Sequence, residues 1–203
     1  MRLSFPLLIA LLAAAPPTAA QTPALHDGWY LGGGVDGLRF GHVAVSEAAP
    51  GLAAEVRPSG RAALRLAVGR MVGAWTISLE AGWAGGNIEI GNDVVSVQDL
   101  TSDVTRYRLV LPVGRRLTAV GTGRLDVELA PTADVWSVTG DSRARAGVEG
   151  RVLLLVPLGA VSMENRIGVG YSGSPIEASD LGRVAEERGL WTFLIGVGLR
   201  TGL

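Results

Sequence analysis

The chain has 203 residues, 48% of them hydrophobic, with 18 basic side chains, all of them Arg, against 19 acidic ones, and it has no Cys. The near balance of charge gives no electrostatic reason to expect a nucleic-acid partner. The missing thiols exclude disulfides, a lipid-anchored lipoprotein and a thiolate metal site.

Residues 1–20 carry the three regions of a secretory leader: Arg2 as a positive start, an apolar stretch over residues 5–15, and the small residues Thr18, Ala19 and Ala20 before Gln21. The apolar stretch is far shorter than the roughly twenty residues a spanning helix needs. The expected organisation is a signal peptide over 1–20 and one barrel domain over 21–203. Nothing after residue 20 offers a transmembrane helix, which leaves a membrane β-barrel or a soluble secreted domain. The 29 glycines and the scarcity of helix-favouring runs favour an all-β chain.

Eight strands are read in chain order from apolar alternation. The first covers 28–42, with Trp29, Leu31 and Val35 opposed to Gly32, Gly34 and Asp36, and a glycine bulge is expected near Gly37 because Leu38 and Phe40 fall out of step. In the second, 61–72, Leu64, Leu66 and Val68 alternate with Ala63, Arg65 and Ala67. In the third, 74–85, Trp75, Ile77, Leu79 and Trp83 oppose Thr76, Ser78 and Glu80. The fourth, 104–113, points Tyr107, Leu109 and Leu111 one way and Arg106 and Arg108 the other. The fifth starts near Arg124, sets Leu125, Val127 and Leu129 against Arg124, Asp126 and Glu128, and is expected to break at Pro131, continuing over 133–138 only after a bulge. The sixth, 143–156, opposes Ala144, Ala146, Val148 and Val152 to Arg145, Glu149 and Arg151. The seventh, 160–171, carries Glu164 and Arg166 behind Val161, Met163, Ile167, Val169 and Tyr171, with Asn165 against the pattern. The last, from Leu190 to the end, presents Trp191, Phe193, Ile195, Val197 and Leu199 on one face and Arg200 on the other.

Trp75 and Trp83 are eight residues apart, which at about 3.3 Å per residue and a tilt of roughly 40° separates them by about 20 Å along a membrane normal. Two indoles at opposite ends of one apolar face suit paired interfacial girdles, in which Trp29, Tyr107, Tyr171 and Trp191 are also expected. The alternative is a pair of core tryptophans in a soluble sandwich. The connections 43–60, 86–103 and 172–189 are long, and those at Gly73 and at Pro157, Leu158 and Gly159 are short, the asymmetry of a barrel with outer loops and periplasmic turns. The links 114–123 and 139–142 fit that scheme badly. Residues 86–103 form either a protruding hairpin or a loop across the mouth.

The segment Glu164-Asn165-Arg166-Ile167-Gly168-Val169-Gly170-Tyr171, followed by the terminal strand, resembles the closing hairpin of eight-stranded outer-membrane proteins of the OmpA and OmpX kind. The resemblance implies an eight-stranded antiparallel transmembrane barrel in the outer membrane of a Gram-negative-type bacterium. The partners it implies are outer-membrane lipid and, during biogenesis, the barrel-assembly machinery. Such proteins usually finish on an aromatic residue, whereas this chain finishes on Leu203, and no peptidoglycan-binding domain is expected after the barrel.

The inward positions would gather Asp36, Glu80, Asp126, Glu128, Glu149 and Glu164 with Arg65, Arg106, Arg108, Arg124, Arg145, Arg151, Arg166 and Arg200. One reading is an ion path or binding site. The favoured one is a plug of paired ions in an interior that small barrels fill with side chains. Some barrels of this architecture act on lipid A, which would need a general base such as His42 near Ser46 and Glu47; His26 precedes the first strand. Three such residues on a loop arise easily by chance, so no enzyme is expected, and no metal or cofactor either. A structural or surface-interaction role is the expectation, with an unidentified external ligand of the loops. A small porin-like channel and a lipid A-modifying enzyme are its rivals, and a soluble lipocalin-like barrel is disfavoured by the apolar outward faces.

Overall fold

The structure, a computed structural model, describes residues 27–49, 52–91, 96–138, 140–177, 185–187 and 189–203. The expected leader and His26 lie outside them. Among the described residues twelve strands form one antiparallel sheet: β1 (Gly28–Phe40), β2 (Ala44–Ala49), β3 (Leu52–Pro58), β4 (Ala62–Val72), β5 (Trp75–Gly91), β6 (Ser96–Val110), β7 (Val113–Val120), β8 (Gly123–Val138), β9 (Asp141–Leu158), β10 (Val161–Ser172), β11 (Ala185–Glu187) and β12 (Leu190–Gly202). The alternation in the sequence causes this directly. On β4 Leu64, Leu66 and Val68 are exposed while Ala63, Arg65, Ala67 and Met71 between them are buried, and the same period of two runs through the other staves.

The pairings lead from β1 through β4, β5, β6, β8, β9, β10 and β12 and from there back to β1, so each of these strands has a neighbour on both sides. β7 continues the β6 stave between β5 and β8. Glu80 faces Val110 and Ile77 faces Val113, so the two strands share one register and are separated only by Leu111 and Pro112. The eight expected strands thus correspond to eight staves, one of them written as two strands.

Three expectations are corrected here. β8 does not break or bulge at Pro131, because its register with β9 is continuous from Arg124 opposite Leu155 to Val138 opposite Asp141. The Pro131 carbonyl accepts from the Leu111 N–H at 3.1 Å, so the donor that proline lacks would have faced the Leu111 carbonyl, within the two-residue gap between β6 and β7. β1 has no bulge at Gly37 either, since it pairs with β12 without a shift from Tyr30 to Phe40. Leu38 and Phe40 are simply inward residues of an interior that turns apolar toward that end. The awkward link 114–123 is strand β7 followed by a two-residue turn.

That turn places Val120 opposite Gly123, and two more like it place Val72 opposite Trp75 and Leu158 opposite Val161. Each begins with a glycine in the left-handed region, Gly73, Gly121 and Gly159, at φ of 59°, 59° and 72°. At the opposite end the staves lengthen: β5 and β6 continue as a hairpin pairing Ile88 with Asp99 through Gly91 with Ser96, after one register shift at Gly86. Of the two readings for residues 86–103, the hairpin is the one found. β3 pairs along that extension, β2 along β3 and β11 along β2, so segments expected as loops are partly sheet. Beneath this rim Leu38, Phe40, Val43, Val104, Trp136, Ile176, Leu190 and Leu194 form the apolar core. No described helix is long and apolar enough to cross a membrane.

Candidate functional site

Because every stave alternates, each inward charge is forced into the same enclosed space. Of the expected residues, Asp36, Arg65, Glu80, Arg106, Arg124, Asp126, Glu128, Glu149, Arg151, Glu164, Arg166 and Arg200 are each no more than 6% exposed. Arg108 is slightly more open, with 12% of its side chain exposed.

Three linked groups of ion pairs fill the interior. Nearest the apolar core, Arg106 holds Asp134 through Nη2 at 2.7 Å and Nε at 3.1 Å, while its guanidinium lies 4.9 Å from the Trp136 ring and 5.6 Å from Phe40. Arg108 bridges downward, 3.3 Å from Asp134 and 2.5 Å from Glu149. At mid-height Glu149 also pairs with Arg151, which reaches Glu80 at 2.7 Å and Glu128 at 3.5 Å. Arg166 takes Glu80 at 3.2 Å and both oxygens of Asp36. Toward the tight-turn end Glu164 receives Arg65 at 2.8 Å and Arg200 at 2.6 Å, and Arg200 lies 4.1 Å from the ring of Tyr30. Arg124 stands beside Asp126 at 2.9 Å and the sulfur of Met71 at 3.0 Å.

Each guanidinium is a planar fork that can meet carboxylates on different staves at once, which a lysine could not do with the same directionality. Desolvation of so many charges consumes most of the attraction between them, so the network adds little net stability over an apolar filling, whereas removing one partner is costly. What it does enforce is register, because a slip of one residue would expel every charge to the outer face. A small cavity of about 30 Å³ is left among Asp36, Glu80, Arg108, Arg151 and Arg166, room for about two waters.

Arg145 is a correction to the expected interior set. It lies at the rim, where Nη2 meets Glu177 at 2.7 Å and Nε donates to the Ser174 carbonyl at 2.5 Å, so it ties the loop after β10 to the wall. Asp134, fully buried and the anchor of Arg106 and Arg108, was not among the expected charges. Its parity follows from β8 running straight through Pro131, which the expected bulge had obscured. At the same rim Arg57 pairs with Glu89 at 2.7 Å, and His42 Nε2 lies 2.7 Å from Glu55. Side chains of Ser46 and Glu47 lie outside the described set.

Outside, Trp29, Trp75, Trp83, Tyr107, Tyr171 and Trp191 are each 45% to 54% exposed. Trp83 faces Tyr107 across a strand pair, and the rings of Tyr171 and Trp191 are 5.0 Å apart. At the tight-turn end Arg70 lies 5.9 Å from the Trp29 ring and Arg115 lies 5.6 Å from that of Trp75. Between these aromatic levels the outer face is mostly apolar, with exposed Leu, Ile, Val and Phe193.

No protein-family model matches the chain, and no curated protein matches it significantly. Solved structures do. The chain is similar to Neisserial surface protein A, with 9% identity, a TM-score of 0.56, and 87% of this chain and 97% of that one covered. It is similar to the outer membrane protein OprG from Pseudomonas aeruginosa, with 13% identity, a TM-score of 0.57 and coverage of 88% and 98%. The outer membrane protein AlkL matches at 10% identity and a TM-score of 0.57, with 93% and 95% covered. What is shared at such identities is the fold, an all-β sheet of the kind found in small outer-membrane β-barrels.

Proposed function

We propose that this chain is an eight-stranded outer-membrane β-barrel, exported with a leader over residues 1–20 and closed along its axis by its own ion pairs. Its role is structural or surface-interactive rather than conductive. The fold shared with outer-membrane proteins supports the location, and the apolar outer face between two aromatic levels supports a barrel surrounded by lipid. The observation that carries the closed interior is the contact of Arg166 with Glu80, side chains from opposite staves meeting at 3.2 Å in the middle of the cross-section. The small cavity beside them supports an interior without a continuous column of water. The extended β2, β3, β5 and β6 rim is the surface left to meet an external partner, and assembly would require the barrel-insertion machinery.

Planar-bilayer recording of the purified protein tests this reading, with no steady conductance expected; a stable ion-selective current would replace the plug with a pore. Outer-membrane fractionation with a comparison of boiled and unboiled samples tests location and barrel closure. N-terminal sequencing of the exported protein should start at Gln21.

A further inference from the structure

We infer that the outer face carries a seat for one anionic glycerophospholipid of the leaflet on the tight-turn side, its phosphate on Arg115 and one acyl chain in the furrow over Gly150. The inference rests on the membrane-barrel reading above. Arg115 points outward on β7 directly opposite Trp75 on β5, with its guanidinium 5.6 Å from the indole ring. It is exposed, and among the described residues no carboxylate pairs with it. Its other register neighbour is Val127, and Val113 stands two residues away on the same face. A cation at the level of the aromatic residues, with no acid of its own chain to meet it, faces the lipid headgroups, and the planar fork of a guanidinium matches the oxygens of a phosphodiester.

The furrow leads away from that cation. An open groove of about 740 Å³ begins at Trp75 and Arg115 and crosses the staves to Phe193. One side of it is the register row of Arg115, Val127, Val152 and Ile167, and the other is the row of Val113, Leu129, Gly150, Val169 and Phe193. Gly150 makes the depression: it is an outward position of β9 without a side chain, between Leu129 and Val169, and a Cβ there would meet nothing within 4 Å. Four steps between strands at about 4.8 Å give a length of about 19 Å, and with strands tilted by roughly 40° the groove climbs about 12 Å from the level of Trp75. The hydrocarbon of one leaflet is about 15 Å deep, so the groove follows the course of a single chain leaving its headgroup.

Charge selects the headgroup. A zwitterionic lipid brings an ammonium that needs a carboxylate or a free aromatic face, whereas here no described carboxylate pairs with Arg115 and the Trp75 ring already carries its guanidinium. A headgroup with one negative charge and hydroxyls, the phosphatidylglycerol class, leaves no charge unmet. Arg70 repeats the upper part of the arrangement, opposite Trp29 and 5.9 Å from its ring, but the groove does not reach it. It is an internal comparison, a cation and an indole without a furrow.

The test uses the full mature chain refolded into vesicles of phosphatidylcholine and phosphatidylglycerol. Flotation and heat-modifiable mobility first establish insertion; a protein that does not float removes the barrel reading itself. Inserted protein is then transferred to a neutral detergent, and native mass spectrometry counts the lipids that stay bound. One phosphatidylglycerol per chain should be retained, preferred over phosphatidylcholine by about fivefold, the effect of one arginine at a charged surface. Arg115→Gln should abolish the preference, Gly150→Leu should reduce retention of both lipids by filling the furrow, and Arg70→Gln should alter neither. Glycerophosphoglycerol, the same headgroup without chains, should not displace the bound lipid. Native protein that retains no lipid, or both lipids equally, would overturn the inference. So would Arg115→Gln or Gly150→Leu behaving as the native chain, Arg70→Gln losing the preference to the same extent as Arg115→Gln, or displacement by the chainless headgroup.

Discussion

Arg166 on β10 donates to Glu80 on β5 at 3.2 Å, although the two staves stand opposite each other in the ring of eight. From its near side the same guanidinium holds Asp36 on β1. One side chain therefore ties three staves across the whole cross-section. A narrow interior lined by long arginines is filled by them.

Glu80 is accordingly a carboxylate whose loss should be costly. It receives both Arg151 and Arg166, whereas Glu128 touches Arg151 only at 3.5 Å. Glu80→Ala should destabilise the barrel by about 3 to 5 kcal/mol, the usual cost of stranding a buried charge, and Glu128→Ala by clearly less. Urea unfolding in lipid vesicles, followed by tryptophan fluorescence, measures both; equal losses would mean that Glu80 is not the hub.

Gly196 sits beside the same network, and a methyl group there would overlap the Asp36 carboxylate. Gly196→Ala should cost about 1 to 3 kcal/mol by pushing Asp36 off Arg166, although no charge is altered. The same unfolding assay reads it. A variant as stable as the native chain would show that Asp36 has room to retreat.

Leu79 lies midway between Trp75 and Trp83 on the outer face and is 45% exposed. Leu79→Arg should cost about 2 to 4 kcal/mol, and Val120→Arg, at the tip of the β7 and β8 turn, about 0 to 1 kcal/mol. The contrast should vanish if the exposed face meets water, so refolding yields of the two variants in vesicles separate the cases.

Trp136 is 1% exposed and packs edge-on against Phe40, with ring centroids 5.6 Å apart. Trp136→Ala should remove about 3 to 5 kcal/mol of stability through the cavity it leaves. It should still not open a conducting path, because the ion pairs below are untouched. Bilayer recordings of this variant check that the charge layer, and not the apolar cap, is the seal.

The residues themselves determined which side chains face in and which face out. Alternation is a local property of a pleated strand, and Leu64, Arg65 and Leu66 announce their faces without reference to anything distant. The same locality made the outward facing of Trp75 and Trp83 legible. It failed where a proline or glycine suggested a bulge: Pro131 and Gly37 break a strand only when the neighbouring ladder needs what they lack, and that neighbour is chosen by the fold. Asp134 was lost with the first of these and Leu38 with the second. Which charges meet was decided by tertiary structure alone. Asp36 and Arg166 are 130 residues apart, and Arg166 and Glu80 are 86 apart. Their contact depends on the register of every intervening stave and on the ring closing, so no spacing within one segment could encode it.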